Sequence, residues 1–244
     1  MKTIDVNCDM GESAEAVRGG LQESLLPWIT SVNVACGGHA GDEGLMRETI
    51  AGALRWKVSV GAHPSYPDRA NFGRVRMRMT GEEIARSVAG QIRELARIAE
   101  ELKIELRHVK AHGALYNDAA ADPATAEAIA AGAALFSRDL VLVGPAGSRM
   151  LQVFASRGFR TAAEAFADRR YEPDGSLRSR SFPDALVSEP GAAAAQALAF
   201  ARGGEVRTLC VHSDTPGALA IVRAVAGALD AAGIERRAFF NETP

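Results

Sequence analysis

Residues able to move protons or hold charge recur in this chain in short clusters, each following a β-rich run. The clusters read NCDMGE over residues 7–12, CGGHAGD over 36–42, GAHPS over 61–65, HVKAHG over 108–113, EAFADR over 164–169 and VHSDT over 211–215. All five histidines of the chain fall in them. Alternation along an extended strand puts Asn7 with Asp9, His108 with Lys110 and His112, and His212 with Asp214 on shared faces. Such groups can move protons and steady charge at a reacting centre. A carboxylate or imidazole can take a proton from water, a lysine can steady oxyanion or phosphate charge, and an arginine fork can hold a carboxylate. Asp9, Lys110, His112, Glu164 and Asp214 are the candidates for chemistry. Asn7, Glu12, His39, Asp42, Asn117, Arg169, Arg180 and His212 are the candidates for binding substrate.

Each has a plainer reading. Asp9 and Glu12 could cap and charge a first helix, and Asp42 is a good N-cap for a second. His108 sits deepest in its strand and reads more readily as a satisfied core histidine. Cys8, Cys36 and Cys210 read as small core residues, and the arginines at 169, 170, 178 and 180 as a solvated face. Lys110 resists such a reading, because a lysine within an apolar strand is rarely buried without a partner or a task.

The elements that must position these groups follow from periodicity. Strands are expected at 3–7, 31–35, 58–61, 106–110, 140–143, 160–163 and 208–212, with an eighth at 236–240. Helices are expected at 42–56, 81–102, 123–135, 192–202 and 216–232. Thr80 followed by Glu83 makes a capping box, Asp122 followed by Pro123 starts a helix, and Gly203 and Gly233 end two others. Strand–helix alternation implies a parallel sheet covered by helices, and seven or eight such units favour a closed barrel. In parallel barrels the site lies at the C-terminal ends of the strands, where the clusters stand. Two long loops, 65–78 and 167–190, are functional candidates by length.

The 244 residues suit one (β/α) barrel, read as a single domain over 1–244. A net charge of −2 gives no footprint for nucleic acid or an anionic membrane. Three widely spaced cysteines make no disulfide framework. The opening residues lack a signal-peptide core, and no apolar run is long enough to span a bilayer. A cytoplasmic protein is expected. Neither GxGxxG after the first strand nor GxxxxGK[ST] occurs, so the common nucleotide loops are absent.

The segments IDVNCDMGES, NVACGGHAGDEGLMRETI, VGAHPSYPD, FGR, HVKAHGALYNDAAADP, GPAGS, EAFADRRYEPDGSLRSRS and CVHSDTPGA together resemble the LamB/YcsF family. That family supplies the A component of prokaryotic 5-oxoprolinase. The resemblance implies an irregular (β/α) TIM-like barrel of seven or eight strands, similar to the glycoside hydrolase/deacetylase barrels. It implies cleavage of 5-oxo-L-proline to L-glutamate, with ATP as co-substrate hydrolysed to ADP and phosphate, and partner subunits B and C. Related deacetylase-type barrels hold a metal through an aspartate and two histidines. The positional counterparts here are Asp9, His63 and His112, a set suited to Mg²⁺, Mn²⁺ or Zn²⁺. The chain departs from the family pattern at Gly38, Asn71, Ala111 and Ser213, and at Ala14 and Glu15 after the opening motif. Two other readings share these residues: a metal-dependent deacetylase of N-acetylated sugars, and a substrate-binding scaffold whose partner does the chemistry.

Overall fold

The computed structural model describes residues 2–239. Seven parallel strands form a closed ring: β1 (Thr3–Met10), β2 (Ser31–Ala35), β3 (Ser59–His63), β4 (His108–Lys110), β5 (Val141–Pro145), β6 (Thr161–Phe166) and β7 (Thr208–Cys210). The ring closes because β1 pairs with β2 through Asn7–Met10 and with β7 through Asp5–Asn7. A two-residue β8 (Glu235–Arg236) pairs with Thr3 and Ile4 at the foot of β1. The carbonyls of Lys2 and Ile4 accept from β8 and its neighbour Arg237, while that of Val6 accepts from Thr30. β8 and β2 therefore share one edge of β1. The expected eighth strand is cut to two residues, and its far end, Phe240, lies outside the described residues.

Helices flank the ring: α1 (Ala14–Arg18), α2 (Leu21–Leu25), α3 (Glu43–Trp56), α4 (Gly81–Glu101), α5 (Gly113–Ala121), α6 (Pro123–Ala134), α7 (Arg149–Ser156), α8 (Pro190–Gly203) and α9 (Ala218–Ala231). The capping box forms at α4: the Thr80 hydroxyl accepts from the Glu83 amide, and the Glu83 carboxylate accepts from the Thr80 amide. Asp122 caps α6 with Pro123 at its first position. The expectations lacked α1, α2, α5 and α7, which run five to nine residues and show too few turns for a helical period.

The strands have two unlike faces. Ile4, Val6, Cys8 and Met10 of β1, Val32 and Val34 of β2, and Val60 and Ala62 of β3 join the large apolar core. Their alternates, Asp5, Asn7, Asp9, Ser31, Asn33 and His63, are also buried, but polar. A second, small apolar cluster of Val141, Val143, Ala162 and Ala238 lies apart from the large core. Buried polar groups of this density are tolerated only when paired. At the level of Asp5 the pairing is by hydroxyls: Thr30, Ser31 and Thr208 all donate to its carboxylate. Burial still pushes that carboxyl up to about 6.

His108 is fully buried and stands opposite Gly61 of β3. A Cβ at residue 61 would lie 2.3 Å from the imidazole, so glycine makes the room. Nε2 of His108 meets the Asn33 carboxamide oxygen at 2.8 Å. Burial, with the charge of Lys110 nearby, pushes this imidazole down to about 3. The unfolded chain takes up this proton below about pH 6.5, whereas the folded chain does not until near pH 3. Stability from this group is thus full above that range and is lost on acidification, by about 1.4 kcal/mol per pH unit at most. Urea unfolding of the wild type and of His108→Gln at pH 7, 5.5 and 4.5 will show the wild type losing stability faster. Parallel profiles would refute a neutral, buried His108.

Candidate active site

Lys110 is the centre of the polar interior. It is 2% exposed, yet its ammonium lies 2.8 Å from Glu164 Oε1, 3.1 Å from Asp9 Oδ1, 3.2 Å from Asn7 Oδ1 and 3.1 Å from Cys210 Sγ. Burial disfavours the charge, but the Asp9 and Glu164 carboxylates outweigh it and hold the ammonium protonated. The surrounding groups are fixed in turn. Asn33 donates to both Asn7 Oδ1 and Asp9 Oδ1. Asn7 donates to Glu164 at 3.0 Å and to Thr208 at 2.7 Å. The Tyr116 hydroxyl donates to Glu164 Oε2 at 2.7 Å. Burial would raise the Asp9 carboxyl, but His63 and Lys110 hold it well below the usual carboxylate range. The result is an ionised, desolvated carboxylate–ammonium cluster whose members cannot swing away.

A histidine cluster adjoins it. His63 Nε2 lies 3.4 Å from Asp9 Oδ2 and 3.1 Å from His112 Nδ1. Glu12 Oε1 lies 3.0 Å from His39 Nε2 and 3.3 Å from His112 Nδ1. The rings of His39 and His112 stack with centroids 3.6 Å apart. The residues come from four consecutive strand ends. Glu12 follows β1, His39 follows β2, His63 ends β3 and His112 precedes α5. Gly73, at φ +63°, lets the loop after β3 close over them. A Cβ there would come within 2.8 Å of His39.

The loops meet at the mouth. Arg74 and Arg180 both donate to Asp214 Oδ2, at 2.6 and 2.8 Å. Burial alone would raise the Asp214 carboxyl; Arg180 holds it below its ordinary value. His212 Nδ1 is held 3.0 Å from Asp168, which also accepts from the His212 amide and the Thr215 hydroxyl. Nε2 of His212 faces Asp9 Oδ2 at 4.0 Å. Arg169 is buried beside Asp168; it donates through Nη2 to the Arg178 carbonyl, while its Nε has no partner among the described residues.

The structure therefore gathers Asn7, Asp9, Glu12, His39, His63, Lys110, His112, Glu164 and His212 into one continuous polar interior. Of the other five predicted site residues, Arg169 and Arg180 stand at the mouth with Asp214, and Asp42 and Asn117 lie away from the site. Asp42 is exposed and caps α3, accepting from the Leu45 amide. Asn117 is exposed on α5. Its neighbour Tyr116 takes the inward position, and one helical step of about 100° turns Asn117 away. Asp214 is a partly exposed clasp between two arginines rather than a base in the interior. Asn33, Tyr116, Asp168 and Thr208 are site residues that the sequence reading does not single out, and Cys210, read there as a small core residue, touches the Lys110 ammonium. Asn33, Thr208 and Cys210 lie on the inward-facing positions of their strands, so continued alternation from Asp9 and Lys110 would have found them. Glu164 lies within β6 and not in a following loop, because that strand runs three residues beyond its expected end at 163.

Two departures from the family pattern have physical counterparts. A side chain at Gly38 would meet Gln91 Oε1 at 2.4 Å and Ser65 Oγ at 2.5 Å, so here Gln91 fills that space. The Ser213 hydroxyl donates to the Asp9 carbonyl at 2.9 Å, tying the loop after β7 to β1. Nothing in the structure explains Ala111.

Among the described residues no helix is long and apolar enough to cross a membrane. Comparison with known proteins bears on the whole chain. The A component of the 5-oxoprolinase of Chloroflexus aurantiacus is 50% identical over 246 aligned positions, covering 96% of this chain and 97% of that one. A crystal structure described as a lactam utilization protein from Thermus thermophilus is 38% identical, with a TM-score of 0.90 over 98% of this chain and 100% of that one. The catalytic domain of a peptidoglycan N-acetylglucosamine deacetylase from Eubacterium rectale shares the fold alone. It matches with a TM-score of 0.57 at 11% identity, over 100% of this chain and 90% of that one. The family model for LamB/YcsF matches residues 4–243, and the chain belongs to the LamB/YcsF family.

Proposed function

We infer that this chain is one component of a 5-oxoprolinase, a hydrolase that opens the lactam of 5-oxo-L-proline to L-glutamate with hydrolysis of ATP. The observation that carries this reading is the buried Lys110 held between Asp9 and Glu164 at the mouth-side end of the ring. The name and near-complete coverage of a relative at 50% identity support it. A lactam resists water because its amide is resonance-stabilised. In the proposed sequence the amide oxygen attacks the γ-phosphorus of ATP, releasing ADP and making the ring carbon electrophilic. Water adds to that carbon. The ring C–N bond then breaks, its electron pair going to nitrogen, which takes a proton. An acyl phosphate remains, and a second water converts it to glutamate and phosphate.

The interior suits these demands. Asp9, ionised and turned toward His63 and His212, takes the proton of the attacking water. Lys110 places fixed positive charge beside the amide oxygen, where charge develops. Glu164, gripped by Lys110, Asn7 and Tyr116, keeps that ammonium oriented. Arg169, buried with an Nε that has no partner among the described residues, is the fork for the substrate carboxylate. ATP acts as co-substrate, subunits B and C complete the enzyme, and the cytoplasm is its place.

The test is release of glutamate from 5-oxoproline, with and without ATP, by the chain alone and with subunits B and C. ATP-dependent glutamate in the full mixture is expected. A complete mixture of folded subunits that yields none would refute this substrate.

A further inference from the structure

The histidine cluster carries a constraint that the reaction above does not use. Nδ1 of His63 lies 2.7 Å from the Lys110 carbonyl, and Nε2 of His112 lies 3.0 Å from the Phe72 carbonyl. A carbonyl only accepts, so each of these nitrogens carries the ring proton. In the neutral rings, Nε2 of His63 and Nδ1 of His112 are then both lone pairs. They point at one another across 3.1 Å. Two acceptors cannot bond to each other; a positive centre, either a proton or a metal ion, belongs between them. Glu12 Oε1, itself an acceptor, faces the same point from 3.3 Å on the His112 side and 3.9 Å on the His63 side. His39 Nε2 closes the group at 3.0 Å from that oxygen, to which it donates without an ion; ligation shifts the ring proton to Nδ1, which is buried with no partner among the described residues, and turns the ring out of its stack on His112. All four donor atoms lie within 4.8 Å of one another.

We propose that Glu12, His39, His63 and His112 form a binding site for one divalent transition-metal ion. Three imidazoles and one carboxylate match borderline ions such as Zn²⁺ or Co²⁺ better than oxygen-seeking Mg²⁺. Carbonyl-locked tautomers are the usual outer support of metal-bound histidines, and two of the three have them. The set differs from the Asp9, His63 and His112 expected by resemblance. Asp9 Oδ1 is engaged by Lys110 and Asn33. Its Oδ2 lies 3.4 Å from the same His63 Nε2, but Asp9 is not among the residues whose donor atoms gather there within 4.8 Å of one another; it gathers with Cys210 and His212 instead. When bound, the ion would supply Lewis-acid charge beside Asp9. The assignment rests on this geometry and not on the oxoprolinase reading, so either can fail alone.

The test is metal content and Co²⁺ absorption of the full chain, stripped with chelator and then titrated. One equivalent of Zn²⁺ or Co²⁺ is expected, with Co²⁺ giving the visible bands of nitrogen-rich, low-coordinate sites. Affinity should fall about 100-fold or more in Glu12→Gln and in His39→Ala, while Asp9→Asn retains the ion. Circular dichroism of each variant separates lost binding from lost folding. Wild-type protein that takes up no stoichiometric metal would overturn the proposal, leaving a shared proton between the rings. Binding that survives Glu12→Gln and His39→Ala but is lost in Asp9→Asn would overturn it in favour of the resemblance-based set.

Discussion

Lys110→Met lowers glutamate formation in the assembled enzyme by at least about 100-fold and destabilises the chain by about 3–5 kcal/mol. Both effects have one source. The ammonium is the cation shared by Asp9 and Glu164, and it is 2% exposed. A methionine fills much of the same volume but leaves two carboxylates facing each other without water. The variant Lys110→Met with Glu164→Gln separates the effects. Removing one of the stranded charges should restore much of the stability and none of the turnover. Thermal unfolding and steady-state assays of both proteins decide it. A folded Lys110→Met enzyme keeping more than a tenth of wild-type turnover would exclude the lysine from the chemistry.

Asp9→Asn produces the second large effect, a fall in turnover of about 10²–10⁴-fold with little change in stability. The substitution keeps the shape of the side chain. Its carboxamide oxygen can still accept from Asn33 and Lys110, as Oδ1 of the aspartate does. Lys110 retains Glu164, so no charge is stranded. Only the ability to take a proton at the Oδ2 position is removed, beside His63 and His212. A drop in kcat with unchanged unfolding temperature supports Asp9 as the base. Unchanged kcat would move that role to Glu164.

The two substitutions test a site that was partly legible beforehand. Lys110 was informative because its type contradicts its surroundings: a charged residue between apolar neighbours must have partners. Nothing local named those partners, which come from β1, β6 and β7, up to 103 positions away. Asp42 and Asn117 show the opposite failure. Both sit in polar motifs that resemble a site, yet the helix turns one to solvent and uses the other as a cap. Asp214 was misplaced for a related reason. β7 ends at Cys210, so the alternation that paired His212 with Asp214 had no strand to follow.

By itself the sequence determined the barrel and the end of it at which the titratable groups gather. Strand and helix periods, caps such as Thr80 with Glu83, and the positions of the five histidines are local properties, readable within a few residues of each other. Only the tertiary structure decided which groups share a point in space. Parallel register sets Asp9 beside Asn33 and brings His63 to the level of Ala35, and ring closure carries β7 back to β1. Those pairings are long-range, and a shift of one residue would turn each polar side chain outward. The meeting of two histidine ring nitrogens and a carboxylate is likewise set by backbone carbonyls of Lys110 and Phe72, groups that every residue has and no sequence motif displays.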